Sequence, residues 1–136
     1  MPSIDRQPKR GRGDRGEVTS TVFVMPVFLF MLLVVVQMAL SWHAKTMVEA
    51  AASDALAATQ VDGGSEQAGV DTANGLLAGS TNHLLTELEI TVDRRAQTTD
   101  VVVRARVTNV VPLVPIYVNA AASGPTERFR PEGDEG

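Results

Sequence analysis

The hydrophobic pattern passes through three regimes along the chain. From Val18 to Ala44, 27 consecutive positions carry no Asp, Glu, Lys or Arg, and most are large and apolar. At about 1.5 Å per helical residue the stretch reaches roughly 40 Å, beyond the ~30 Å hydrocarbon thickness of a bilayer. A backbone crossing lipid must satisfy its own hydrogen bonds, so this pattern predicts a transmembrane helix. The remaining chain is too small and too polar to wrap such a helix as the core of a soluble protein. A cleavable secretory signal fits poorly too, because its apolar region is typically only about 7–15 residues. Pro26 removes one backbone hydrogen bond inside the span and predicts a kink. Gln37 is a polar group at membrane depth, which either faces a protein partner or is tolerated in lipid.

Beyond the span the period becomes helical. Ala44–Thr59 is dense in alanine, the best helix former, with Met47, Val48, Ala51, Ala55 and Ala58 along one face. The helix is therefore expected to continue past the membrane until Asp62-Gly63-Gly64 stops it. Ser65 reads as the N-cap of a second, amphipathic helix, with Glu66 in its first turn. Val70, Ala73, Leu77, Leu84 and Leu88 recur at helical spacing and place its end near Thr86. Gly69, Gly75, Gly79 and the Ser80–His83 stretch count against that continuity.

The third regime has period two. Leu88, Ile90 and Val92 alternate with Glu89 and Thr91; Val101, Val103, Ala105 and Val107 alternate with Arg104, Arg106 and Thr108. The two runs predict an antiparallel hairpin with a charged outer face. Pro112 and Pro115 confine a third strand, Ile116–Ala121, to a sheet edge. From Ser123 the chain is Pro/Gly/Glu-rich and is expected to fray. The fold class is α+β: a long N-terminal transmembrane helix, a second amphipathic helix and a small antiparallel sheet. Four segments result, a basic leader (1–16), the transmembrane and continuing helix (17–60), an exported α+β domain (61–122) and a flexible acidic tail (123–136).

Charge sets the orientation. Residues 1–16 hold Arg6, Lys9, Arg10, Arg12 and Arg15 against Asp5 and Asp14, whereas residues 45–64 offer only Lys45 beside Glu49, Asp54 and Asp62. Lys/Arg asymmetry near a span decides topology, so the N-terminus is expected in the cytoplasm and the C-terminal domain outside. The net charge of −4 conceals this split: after Ala44 there are seven basic and thirteen acidic residues. Trp42 and His43 stand where an amphipathic ring meets lipid headgroups. There is no cysteine, so an exported domain must hold together by packing, without disulfides or thiolate metal sites.

Residues that carry chemistry are sparse. His43 and His83 are forty positions apart with no metal-ligand spacing around them, and phosphate-cradling or nucleophile-elbow motifs do not occur. Glu87 and Glu89 share a strand face and read as solvated rather than as an acid/base pair. The arginine-rich leader directly before a span acts as a topology determinant or lipid anchor rather than a nucleic-acid contact. No enzyme activity, cofactor or metal is expected, and membrane lipid is the first partner.

Arg15-Gly16-Glu17-Val18-Thr19, the uncharged helix with Pro26 ten residues after Gly16, Gln37 late in the span, the Ala-rich continuation and Pro125–Arg130 together resemble TadE-like proteins, pseudopilins of the tight-adherence (Tad/Flp) pilus system. The resemblance implies a pilin-like, single-pass envelope protein that associates with other pilin-like subunits and pilus assembly proteins. It also implies a prepilin peptidase as partner, cutting after Gly16 to leave Glu17 as N-terminus. One position departs from the family pattern: its usual glutamate is Thr21 here, which cannot pair with a charge on a neighbouring subunit. An uncleaved, permanently anchored assembly factor is the alternative that this departure raises. Helix–helix association is the expected mechanism, with Pro26, Gln37, Ala39, Ser41, Ala44 and Ala51 in the packing surface, the small residues allowing close backbone approach. Arg104, Arg106 and the acidic tail would face partners outside. The competing reading is a generic single-pass envelope protein whose exported domain binds something unrelated to pili.

Overall fold

A computed structural model describes residues 1–2, 14–80 and 83–127, with residues 14–21 and Ser80 described by their backbone alone. The leader residues Arg6, Lys9, Arg10 and Arg12 lie outside this set, as do Thr81, Asn82 and the tail from Arg128 onward. Five elements follow in order: α1 (Asp14–Gln60), α2 (Glu66–Ser80), β1 (Leu85–Arg94), β2 (Thr98–Val107) and β3 (Ile116–Pro125). The strands form an antiparallel meander in the order β1-β2-β3, and the fold is α+β.

The core forms where the second half of α1 lies across the sheet. Ala44, Val48, Ala51, Ala52 and Ala55 are buried against Val101, Val103, Ala105 and Val107 of β2 and Val118 and Ala120 of β3. The period-two pattern puts the β2 valines inward and leaves Val102 and Arg104 exposed between them. Alanine on the helix face lets the helix axis approach the pleated surface closely.

α2 turns back along α1 and adds Ala73 and Leu77 to the same core. Its N-cap is Ser65, whose Oγ accepts the Ala68 N–H at 3.1 Å. Gly63 adopts the left-handed backbone (φ +78°) that ends many helices, and Gly64 donates to the Val61 carbonyl at 2.9 Å. Gly69 marks the point of closest approach: a Cβ there would sit 2.1 Å from Thr59 Oγ1 and 3.0 Å from the Ala55 carbonyl oxygen. The last carbonyls of α1 are satisfied from the distal end of the sheet. Arg94 Nε donates to Thr59 O at 2.9 Å, and the Glu127 N–H donates to Gln60 O at 2.9 Å.

Two boundaries differ from the sequence reading. α2 ends at Ser80 rather than near Thr86, so Leu84 lies in the connection and Leu88 lies in a strand. Strand pairing decides this, because Leu85 opposes Val107 and Thr86 opposes Arg106 before a bulge interrupts the ladder between Thr86 and Glu89. Within that bulge Glu87 has φ +51°. At the other end, β3 continues through Ser123 and Gly124 to Pro125 instead of fraying. Gly124 pairs with Thr99, and the Thr126 N–H donates to Gln97 O at 3.1 Å.

Candidate membrane and assembly interface

Sequence and fold together divide α1 into two halves of different fate. From residue 44 one face is buried on the sheet, whereas residues 22–32 are exposed around the whole helix, Val22, Phe23, Phe28 and Met31 included. α1 is long and apolar enough to cross a membrane, with a mean hydropathy of 2.6 over its most apolar window. It runs through Pro26 without interruption. Apolar surface of this extent, uncovered by the rest of the fold, requires lipid or another apolar surface.

The two halves meet at Gln37. Its side chain is only 4% exposed, and its partners belong to the connection between β2 and β3. Oε1 accepts the Val110 N–H at 2.6 Å and the Val111 N–H at 3.4 Å, while Nε2 lies 3.5 Å from the Thr108 carbonyl oxygen. Gln37 is thus satisfied within its own chain, a correction to its expected place facing a partner or lipid. Thr108 ties the same corner further: its N–H donates to Leu84 O at 2.8 Å and its hydroxyl donates to the His83 carbonyl. The connection is clamped to α1 where the bare half of the helix ends. Sequence reading missed these residues because Gln37 and its partners are more than seventy positions apart. The only local signal was the uncharged run around Pro112 and Pro115.

The predicted packing residues separate into two groups. Ala44 and Ala51 are fully buried against the chain's own sheet, so their close backbone approach is intramolecular. Ala39 remains exposed and Ser41 half-buried, its hydroxyl donating to the Gln37 carbonyl at 2.8 Å. Across the clamp an apolar groove of about 570 Å³ runs between α1 and the β2–β3 connection with the start of β3; Phe30, Val34, Met38 and Trp42 form one wall and Val111, Val114 and Tyr117 the other. Gly16, Glu17 and Thr21 lie in the first turns of α1, where only the backbone is described.

The outer sheet face carries the charges. Arg106 Nη1 donates to Glu87 Oε1 at 2.9 Å, with the Tyr117 hydroxyl 3.4 Å from the other carboxylate oxygen, and Glu89 opposes Arg104 in register. At the β1–β2 turn the hydrogen bond from Arg95 to the Asp93 carboxylate, then the charges of Asp93 and Asp100, hold its guanidinium above its ordinary range. His43 and His83 are both exposed, and no group of three or more His, Cys, Asp or Glu is gathered for a metal among the described residues.

The bare helix and its continuation over the sheet coincide with one comparison. Residues 21–56 match the TadE-like protein family. The TadE-like stretch begins at Thr21, takes in the exposed half of α1 and ends within the buried alanine face. Gly16 and Glu17 precede it, and the sheet lies beyond it. No curated protein and no solved structure matches the chain. The match suggests a connection with Tad pilus systems, and the helix it covers is long and apolar enough to cross a membrane.

Proposed function

We propose that this chain is a minor, pilin-like membrane component of a Tad/Flp pilus or related secretion apparatus, with a structural rather than catalytic role. The observation that carries the reading is the bare apolar half of α1, residues 22–36, inside the TadE-like match and largely uncovered by the chain's own fold. Such a helix can leave lipid for a bundle of similar helices, because lateral packing replaces one apolar neighbour by another. The N-terminus lies in the cytoplasm and the α+β domain outside, as the Lys/Arg asymmetry requires. Pilin-like subunits and assembly proteins are the partners, and prepilin peptidase is one if Gly16–Glu17 is cut.

A photo-crosslinking residue in place of Phe28, introduced into cells that carry the pilus system, tests the role. Adducts with other pilin-like subunits are expected, and adducts with lipid alone would overturn it in favour of a generic envelope anchor. The processing state is read separately, from the mass of the membrane-extracted protein. A chain beginning at Glu17 means a processed pseudopilin, whereas an intact leader means a permanent anchor, the state favoured by Thr21.

A further inference from the structure

We infer that the β2–β3 connection, residues 108–115, is a second membrane contact: it sits in the outer-leaflet interface, and a lipid acyl chain fills the groove between it and α1. The inference rests on the placement of α1 in the bilayer and adds a segment, residues 108–115, that lies beyond the TadE-like match.

Position comes first. Val18–Val36, about 19 helical residues, spans roughly 28 Å, close to the thickness of a hydrocarbon core. Gln37 therefore stands at the edge of that core, and the Val110 and Val111 amides are bonded to it. The connection is thereby fixed at the depth where hydrocarbon gives way to headgroups.

Composition agrees with that depth. Residues 107–126 include no Asp, Glu, Lys or Arg. Leu113 is 98% exposed and held in a left-handed backbone (φ +74°), a conformation costly for leucine, and Val110 and Val114 are exposed beside it. In water this is a cluster of apolar side chains presented at a loop tip with nothing to cover them. Trp42, 80% exposed, and Tyr117 stand just above, as aromatic residues do at the membrane boundary.

The groove supplies the occupant. Its helix wall, Phe30-Val34-Met38-Trp42, is one face of α1 and continues without a break from the bare span into the headgroup region, ending at Lys45. Continuity with the lipid-facing helix matches a phospholipid, its acyl chain against the wall and its headgroup near Lys45, whose ammonium also lies 3.7 Å from Glu49 Oε1.

The cysteine-free sequence makes the test direct. Four single variants of the full chain, Met31→Cys, Leu113→Cys, Val114→Cys and Thr98→Cys, are labelled with an environment-sensitive fluorophore and reconstituted in phosphatidylcholine/phosphatidylglycerol vesicles at low protein-to-lipid ratio. Brominated lipids are expected to quench the probes at 31, 113 and 114 by about twofold or more and to leave the one at 98 bright, with shallow bromines most effective at 113. Quenching at 31 but not at 113 and 114 overturns the inference while leaving the span intact. Shielding at 113 and 114 that grows with protein density and is insensitive to bromine also overturns it, assigning the groove to a second copy of the chain. Loss of quenching at 31 as well removes the transmembrane reading on which the inference stands.

Discussion

Gln37 acts through its side-chain amide and Gly69 through having no side chain. Replacing Gln37 by alanine leaves the part-buried Val110 amide and the buried Val111 amide without their acceptor. A buried unsatisfied amide costs about 1–3 kcal/mol, so Gln37→Ala should loosen the connection more than it unfolds the sheet. Amide exchange measured in detergent or nanodiscs should accelerate at Val110 and Val111 and stay unchanged at Val103; uniform acceleration would contradict a local clamp. Gly69 makes the opposite kind of contribution, by being absent as a side chain. The Cβ of Gly69→Ala would meet Thr59 Oγ1 at 2.1 Å, and that hydroxyl is buried and donates to Ala55 O at 2.8 Å. Overpacking of this kind costs about 1–3 kcal/mol. Gly75 lies in the same helix with nothing within 4 Å of its virtual Cβ, so Gly75→Ala should gain about 0.5–1 kcal/mol from helix propensity alone. Thermal unfolding of the two variants should move in opposite directions. Adding Thr59→Ala to Gly69→Ala should recover part of the loss, because the two positions share one contact.

At the scale of elements, legibility followed the range of the contacts. The apolar run, the helix stop at Gly63 and the inward valines of β2 are set by local pattern and were readable from it. The end of α2 was not, because Leu84 and Leu88 continue a helical spacing that strand pairing with β2 overrides. The bulge at Glu87 leaves no trace in alternation, since it re-aims one residue without changing residue types. The alanines of α1 were ambiguous for a different reason: high helix propensity and close packing both call for the same side chain. The structure separates Ala51, buried under the sheet, from Ala39, exposed below it. Ala51→Leu should push α1 off β2 and β3 and lower stability by about 1–3 kcal/mol or more. Ala39→Leu should leave the unfolding midpoint nearly unchanged while weakening association with a neighbouring helix, measured as loss of the Phe28 crosslink. Equal stability losses in both would mean that the alanine face is not divided in this way.

Across the whole molecule, polarity runs along one axis. The distal end of the sheet holds Asp93, Arg94, Arg95 and Asp100 around the cap of α1, and the other end holds the clamped apolar connection and the bare helix. Placing the first end in water and the second in lipid satisfies both at once, and no other orientation does so. With the orientation proposed from the leader's basic residues, the β1–β2 turn is expected on the outer side of the membrane, some distance from its surface. A single cysteine at Thr98, an exposed position beside that turn, reads the arrangement in living cells because the chain has no other thiol. An impermeant thiol reagent should label Thr98→Cys in intact cells, after removal of any outer barrier, to the same extent as after lysis. A thiol placed at Arg10 should be labelled only once the cells are opened. The chain should also stay in the membrane pellet through alkaline carbonate washing, since about 19 uncharged, mostly apolar helical residues insert with no charged group to withdraw them. Labelling of Thr98→Cys only after lysis would reverse the orientation and, with it, remove the sheet from the side where a pilus is assembled.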